Sequence, residues 1–167
     1  DMGELAEIIR QAVKLSGVRA VVALGWGQQE AKTKDANIFY VKSVPHDWLF
    51  PHMAGAVHHG GAGTTATSLR HALPTLVVPF GGDQPFWAER VYAAGCGPKA
   101  IPRDKLTAEN LAEGLRALIS NPEYTRNAAC IGEALRNEHG CANAADLIEK
   151  AVWDWENGNP AQDGMNI

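Results

Sequence analysis

At 167 residues the chain is long enough to bury the core of a single domain. Its 15 Lys+Arg against 19 Asp+Glu give a net charge of -4 and no basic stripe, which argues against a nucleic-acid partner. Cys96, Cys130 and Cys141 form no C-x-x-C pair and read as reduced thiols of a cytoplasmic protein, and no apolar run approaches the ~18 residues of a membrane span.

The chain opens at Asp1 directly into a helix, as expected of a piece of a larger protein. From Glu4 to Leu15 the residues Leu5, Ile8, Ile9, Ala12 and Val13 share one helical face, and Ser16-Gly17 ends it. Val18 to Leu24 is a nearly continuous apolar run, expected to be a strand covered on both faces. A polar loop beginning Gly25-Trp26-Gly27 leads to a second strand, Ile38 to Val41. Pro45 to His52 reads as a short helical or irregular connection with Trp48, Leu49 and Phe50 turned inward. Strand Ala54 to His58, helix Thr64 to Ala72, strand Thr75 to Pro79 and helix Gln84 to Ala94 follow, with a short strand expected near Gly97 to Ile101. Thr107 is placed as an N-cap with Asn110 three residues on, and the helix it opens runs to about Ser120. Two more helices are predicted, from Asn121-Pro122 to about His139 and from Gly140 to about Asp154, packing over the sheet. The domain is set at residues 1–155, and 156–167 reads as a polar tail, disordered or a linker. Alternating strands and helices with short connections define a parallel α/β sheet with helices on both faces.

The chemistry concentrates between His58 and Gln84. A strand runs into His58 and His59, then Gly60, Gly61 and Gly63, and a helix starts. Glycines let the backbone approach a ligand, and the first N–H groups of a helix lack internal partners. With the helix dipole they make an anion site of the kind that takes phosphate. Gly61-Ala62-Gly63-Thr64-Thr65-Ala66 also fits the G-x-G-x-x-A form of the dinucleotide fingerprint; a mere tight turn would account for the same residues. His46, His52, His58 and His59 fall within fourteen residues, yet no helical H-x-x-x-H and no nearby cysteine accompany them, so no metal is expected. If the strand extended through both, His58 and His59 would face opposite sides and only one would reach the turn, leaving the other structural. Asp83-Gln84 closes the segment with a carboxylate and an amide suited to adjacent sugar hydroxyls. Asp83 before Gln84-Pro85 also reads as a helix N-cap. Trp48 and Trp87 read as core or lining, Trp26 as a cleft residue, and Trp153 and Trp155 as packed on another domain or exposed.

Three motifs in order, V-P-H-D-W-L-F-P, A-V-H-H-G-G-A-G-T-T and P-F-G-G-D-Q-P-F-W-A, resemble the nucleotide-sugar-binding half of family 1 GT-B glycosyltransferases. Within that family they are most similar to fungal sterol 3β-glucosyltransferases, over roughly Val18 to Ala151. The resemblance implies a Rossmann-like C-terminal domain that binds UDP-glucose, with a lipid or sterol acceptor held by an N-terminal domain. It implies that the Val44 backbone and His46 meet the uridine, that His59 bonds the diphosphate and stabilises the leaving group, and that Ala62, Gly63 and Thr64 offer backbone N–H groups to the phosphates. Asp83 and Gln84 would hold the glucose hydroxyls. Plant relatives have a uracil-stacking Trp where this chain has Ser43, and a ribose-binding Glu where it has Thr67, so those tasks fall to other residues such as Trp26.

The expected reaction is inverting glucosyl transfer without a metal or other cofactor. The catalytic base is expected in the N-terminal domain, so this chain alone would bind donor weakly and catalyse nothing. In the full-length protein a peripheral membrane location is compatible with such an acceptor. Three alternatives use the same residues. A nicotinamide oxidoreductase shares the glycine turn, although its fingerprint follows the first strand of the domain. A non-catalytic module could self-associate through an exposed inter-domain face. A GT-B nucleotide-sugar epimerase fits the motifs less well.

Overall fold

The computed structural model describes residues 2–23 and 35–158. Helix α1 spans Met2–Ser16, strand β1 Ala20–Ala23 and strand β2 Ile38–Val41. A four-residue helix α2 (His46–Leu49) and a 3₁₀ turn (Phe50–His52) lead to β3 (Ala56–His58). Then come α3 (Ala62–Arg70), β4 (Thr75–Val77), α4 (Gln84–Ala93), a 3₁₀ turn (Arg103–Lys105), α5 (Ala108–Ser120), α6 (Pro122–Asn137) and α7 (Gly140–Glu156). Among the described residues β1 pairs in parallel with β2 and β3 with β4, with Ala20 opposite Ile38 and Ala56 opposite Thr75. Each parallel pair needs a crossover, and α3 supplies the one between β3 and β4.

The α1 helix forms because its apolar residues recur every three or four positions, and that stripe is buried. Ala12 is fully enclosed, and Leu5, Ile8 and Ile9 pack with it on Leu76, Val78 and the α5 residues Leu111, Ala112, Leu115 and Leu118. Gly17 ends the helix with a positive φ of 74°. Arg116 on α5 donates to the carbonyl of Leu15 at 2.9 Å, placing a cation where the helix dipole is negative. The opposite side of β4 turns Val77 into a second cluster with Ala88, Val91, Cys96 and Ala128 of α4 and α6. Alternation therefore sends Leu76 to one layer and Val77 to the other, and β4 is buried throughout. Phe50, Ala56 and Leu73 make a third, smaller cluster under α2.

Backbone bonds extend the sheet region beyond the assigned strands. Thr75 N–H donates to Cys96 O at 2.9 Å and Ile101 N–H to Val77 O at 3.0 Å, so residues 96–101 run along β4 without forming the regular strand expected there. A Cβ on Gly97 would lie 1.8 Å from the carbonyl oxygen of Thr75, so only glycine fits. Thr107 and Asn110 form a reciprocal capping box, each side chain accepting from the other's N–H at 3.2 and 2.9 Å.

Several expectations are corrected. The run at β1 does form a strand, but its residues are half-buried and Ala23 is exposed: apolar sequence favours the strand without specifying two covering layers. Trp48 is 65% exposed because α2 is a single turn, which can direct only Leu49 and Phe50 inward. Helix α3 starts at Ala62, two residues before Thr64, since Gly61 already takes the extended backbone of an N-cap. Trp26 and the tail from residue 159 lie outside the described residues; α7 itself continues through Glu156. The chain divides between Leu135 and Arg136 into two compact units. In the second, α7 has no buried residue and leaves Leu147, Ile148, Val152, Trp153 and Trp155 exposed.

Candidate functional site

The site assembles where β3 and β4 end. Strand β3 stops at His58, whose carbonyl accepts from Val78 N–H at 2.9 Å, and the chain turns through His59, Gly60 and Gly61 into α3. Gly60 has φ +90°, a conformation that side chains resist. A Cβ there would meet Val77 Cγ1 at 2.5 Å and the main-chain oxygen of Gln84 at 3.2 Å. The glycine turn is thus wedged between β4 and the start of α4.

The first intrahelical bond of α3 runs from Thr65 N–H to Gly61 O at 2.9 Å. The N–H groups of Ala62, Gly63 and Thr64 precede it and have no carbonyl a turn behind them. Gly61 has no side chain to cap them. A Cβ on Gly63 would touch nothing within 4 Å, so that face of the turn is open, whereas Gly60 is packed. Thr67 Oγ1 and Ser68 Oγ bond back to Gly63 O and Thr64 O at 2.9 Å, and so turn away from the helix mouth. The Thr67 hydroxyl is therefore engaged by its own helix.

The two histidines differ. His59 is exposed, and its Nε2 lies 2.7 Å from where a Cβ on Gly61 would stand, so the imidazole folds over the turn. His58 is largely buried: its Nδ1 accepts from Gly60 N–H at 3.0 Å and its Nε2 has no partner among the described residues. Burial, then the neighbouring His59 and His46, push the His58 pKa down to about 4. The rings sit 6.4 Å apart at 73°, and both reach the turn. Because the strand ends at His58 and His59 belongs to the loop, the condition for strict alternation is not met; His58 is the enclosed imidazole and His59 the exposed one.

The polar pair meets the same turn from β4. Gln84 Oε1 accepts from Phe80 N–H at 2.7 Å and Gly81 N–H at 3.3 Å, tying the loop after β4. Asp83 precedes α4 but its side chain caps nothing; its backbone is helical, so the carboxylate leans along the helix and Oδ2 accepts from Trp87 Nε1 at 2.9 Å. Trp87 is thereby a partner of the acidic residue and not merely lining, a role legible in the D-x-x-x-W spacing of one helical turn. Likewise H-x-G at the strand end was the available signal for the His58–Gly60 bond.

Val44 is half-buried, and Pro45 carries the carbonyl that receives Trp48 and Leu49 N–H at 3.2 and 3.0 Å. His46 starts α2, exposed, with its ring stacked on Phe50 at 4.7 Å. Ser43 is exposed. Among the described residues no group of three His, Cys, Asp or Glu side chains could hold a metal ion. A cavity of about 510 Å³ is lined by Glu4, Pro79, Phe80, Arg103, Asp104 and Leu106, and includes none of residues 58–64.

A parallel α/β unit with a glycine-rich helix mouth and a polar pair at adjacent strand ends is a nucleotide-sugar-binding architecture of the GT-B type. The chain belongs to the family described as "Erythromycin biosynthesis protein CIII-like, C-terminal domain", whose profile matches residues 7–149. It is 41% identical over 152 residues to a sterol 3-beta-glucosyltransferase of Arabidopsis thaliana, covering 90% of this chain and 25% of that protein. A sterol 3-beta-glucosyltransferase of Kluyveromyces lactis is 40% identical over 156 residues, covering 89% and 13%. The chain thus spans a quarter or less of these relatives. The crystal structure of glycosyltransferase VinC in complex with DTDP superposes with a TM-score of 0.67 and 29% identity, over 77% of this chain and 33% of that one.

Proposed function

We propose that this chain is the UDP-glucose-binding domain of an inverting, metal-independent glycosyltransferase acting on a sterol-like hydroxyl. The observation that carries this reading is the convergence of three groups at Gly60: the open N–H groups of Ala62 to Thr64, the imidazole of His59 folded over Gly61, and the Asp83-Gln84 pair in contact through Gln84. The α3 mouth and His59 take the diphosphate; Asp83 Oδ1 and the Gln84 amide nitrogen take sugar hydroxyls; the Val44 backbone and His46 meet the uridine. The sugar and acceptor classes come from the relatives, which are sterol 3-beta-glucosyltransferases.

In this reaction the acceptor oxygen attacks the anomeric carbon as its bond to the diphosphate breaks, inverting that centre. The acceptor proton goes to a base in a partner domain. Negative charge grows on the departing UDP, where N–H dipoles and His59 are already aimed. Such preorganised donors are each worth about 3 kcal/mol in a transition state, so no cation is required for the leaving group. Titration calorimetry with UDP and UDP-glucose tests the reading. Heat and thermal stabilisation at millimolar ligand are expected, with affinity lost in Gly63→Val. No heat and no stabilisation in the wild-type chain would remove the nucleotide site.

A further inference from the structure

We propose that His58 is a positioning residue: its Nδ1 holds the Gly60 N–H inward and so sets the direction in which the next N–H groups point at the diphosphate. The proposal rests on the nucleotide reading above but concerns an imidazole which that reading leaves idle.

The geometry supports it in three ways. Gly60 N–H is committed inside the protein, at 3.0 Å from His58 Nδ1. Were it free, the peptide between His59 and Gly60 could rotate, because glycine imposes little torsional restraint. The other side of Gly60 is closed by Val77 and Gln84, so the bond and the packing together leave one orientation. Finally, an accepting Nδ1 carries no proton, so the neutral ring bears its proton on Nε2. That Nε2 is enclosed without a partner, and burial keeps the ring neutral. A doubly protonated ring would oppose N–H to N–H and release the turn. The adjacent imidazoles therefore divide the work: His58 shapes the backbone, and His59 faces the ligand.

The choice of substitution separates this role from mere filling of space. Asn places an amide oxygen near the position of Nδ1, whereas Gln reaches toward Nε2. In ¹⁵N-labelled wild-type chain, a scalar coupling across the hydrogen bond between His58 Nδ1 and Gly60 N is expected, with the proton on Nε2. His58→Asn should keep UDP affinity close to wild type, and His58→Gln should weaken it about five- to ten-fold, the worth of one hydrogen bond. Absence of the coupling, or equal losses in the two variants, overturns the proposal even if wild-type chain binds UDP. A coupling without UDP binding in wild type overturns the diphosphate reading instead, and reduces the bond to a structural one.

Discussion

The turn after β3 and the loop after β4 face each other across Gly60, yet they are held by different means. Residues 58–61 are fixed by steric closure and a buried imidazole: Gly60 has no room for a methyl group, and its N–H is taken. Residues 80–84 are exposed apart from Gln84 and are held by one amide oxygen receiving two N–H groups, with Asp83 tied to Trp87. In the proposed reading, the part that meets the diphosphate is built into the core, and the part that meets the sugar is laid over it by side chains. A diphosphate is shared by all nucleoside-diphosphate sugars, while the sugar varies, so rigid and adjustable halves would suit those tasks.

Gly60→Ala attacks the rigid half most directly. It adds a Cβ against Val77 at 2.5 Å with φ +90°, and a loss of about 3 kcal/mol or more is expected in urea unfolding. A variant of unchanged stability would show the turn to be softer than its packing implies. Acid should strain the same half. His58 is neutral in the fold down to about pH 4, whereas its unperturbed value is 6.5, so between them the unfolded chain binds more protons. Its contribution is complete above pH 6.5 and is lost as pH falls toward 4, amounting to about 3 kcal/mol. Urea midpoints of wild type and His58→Asn should converge over that window; parallel curves would contradict a buried neutral ring.

The adjustable half should respond less. Gln84→Ala removes two loop bonds and should cost about 1 kcal/mol, with a larger fractional loss of UDP-glucose than of UDP affinity. Equal losses for both ligands would move Gln84 away from the sugar. The smallest stability effect is expected at Gly63→Ala, where nothing lies within 4 Å and alanine favours the helix by up to about 1 kcal/mol. Melting should hold or rise slightly while UDP affinity falls. Unaltered affinity would show that no ligand approaches there.

The sequence made some of this legible for identifiable reasons. The α1 stripe and the Thr107–Asn110 cap were readable because both depend on spacing within one helix. The strand–glycine–helix order located the turn for the same reason. The side-chain directions at the site were less accessible. The strand end at His58 was legible, but alternation says nothing of a residue beyond it, so the fold of His59 over Gly61 became visible only in the loop geometry. Asp83 was a good cap by type, but its helical backbone turns the carboxylate to Trp87 instead. Trp48 looked like core by hydrophobicity, and its exposure reflects the shortness of α2.

The close fit of Gly97 against Thr75 has an outcome of its own. A peptide that can lie so near β4 screens the row of backbone groups that would otherwise invite a stranger's strand. A side chain at that position would lift the segment off and open β4 to intermolecular pairing, so one absent methyl group protects the molecule's solubility as well as its shape.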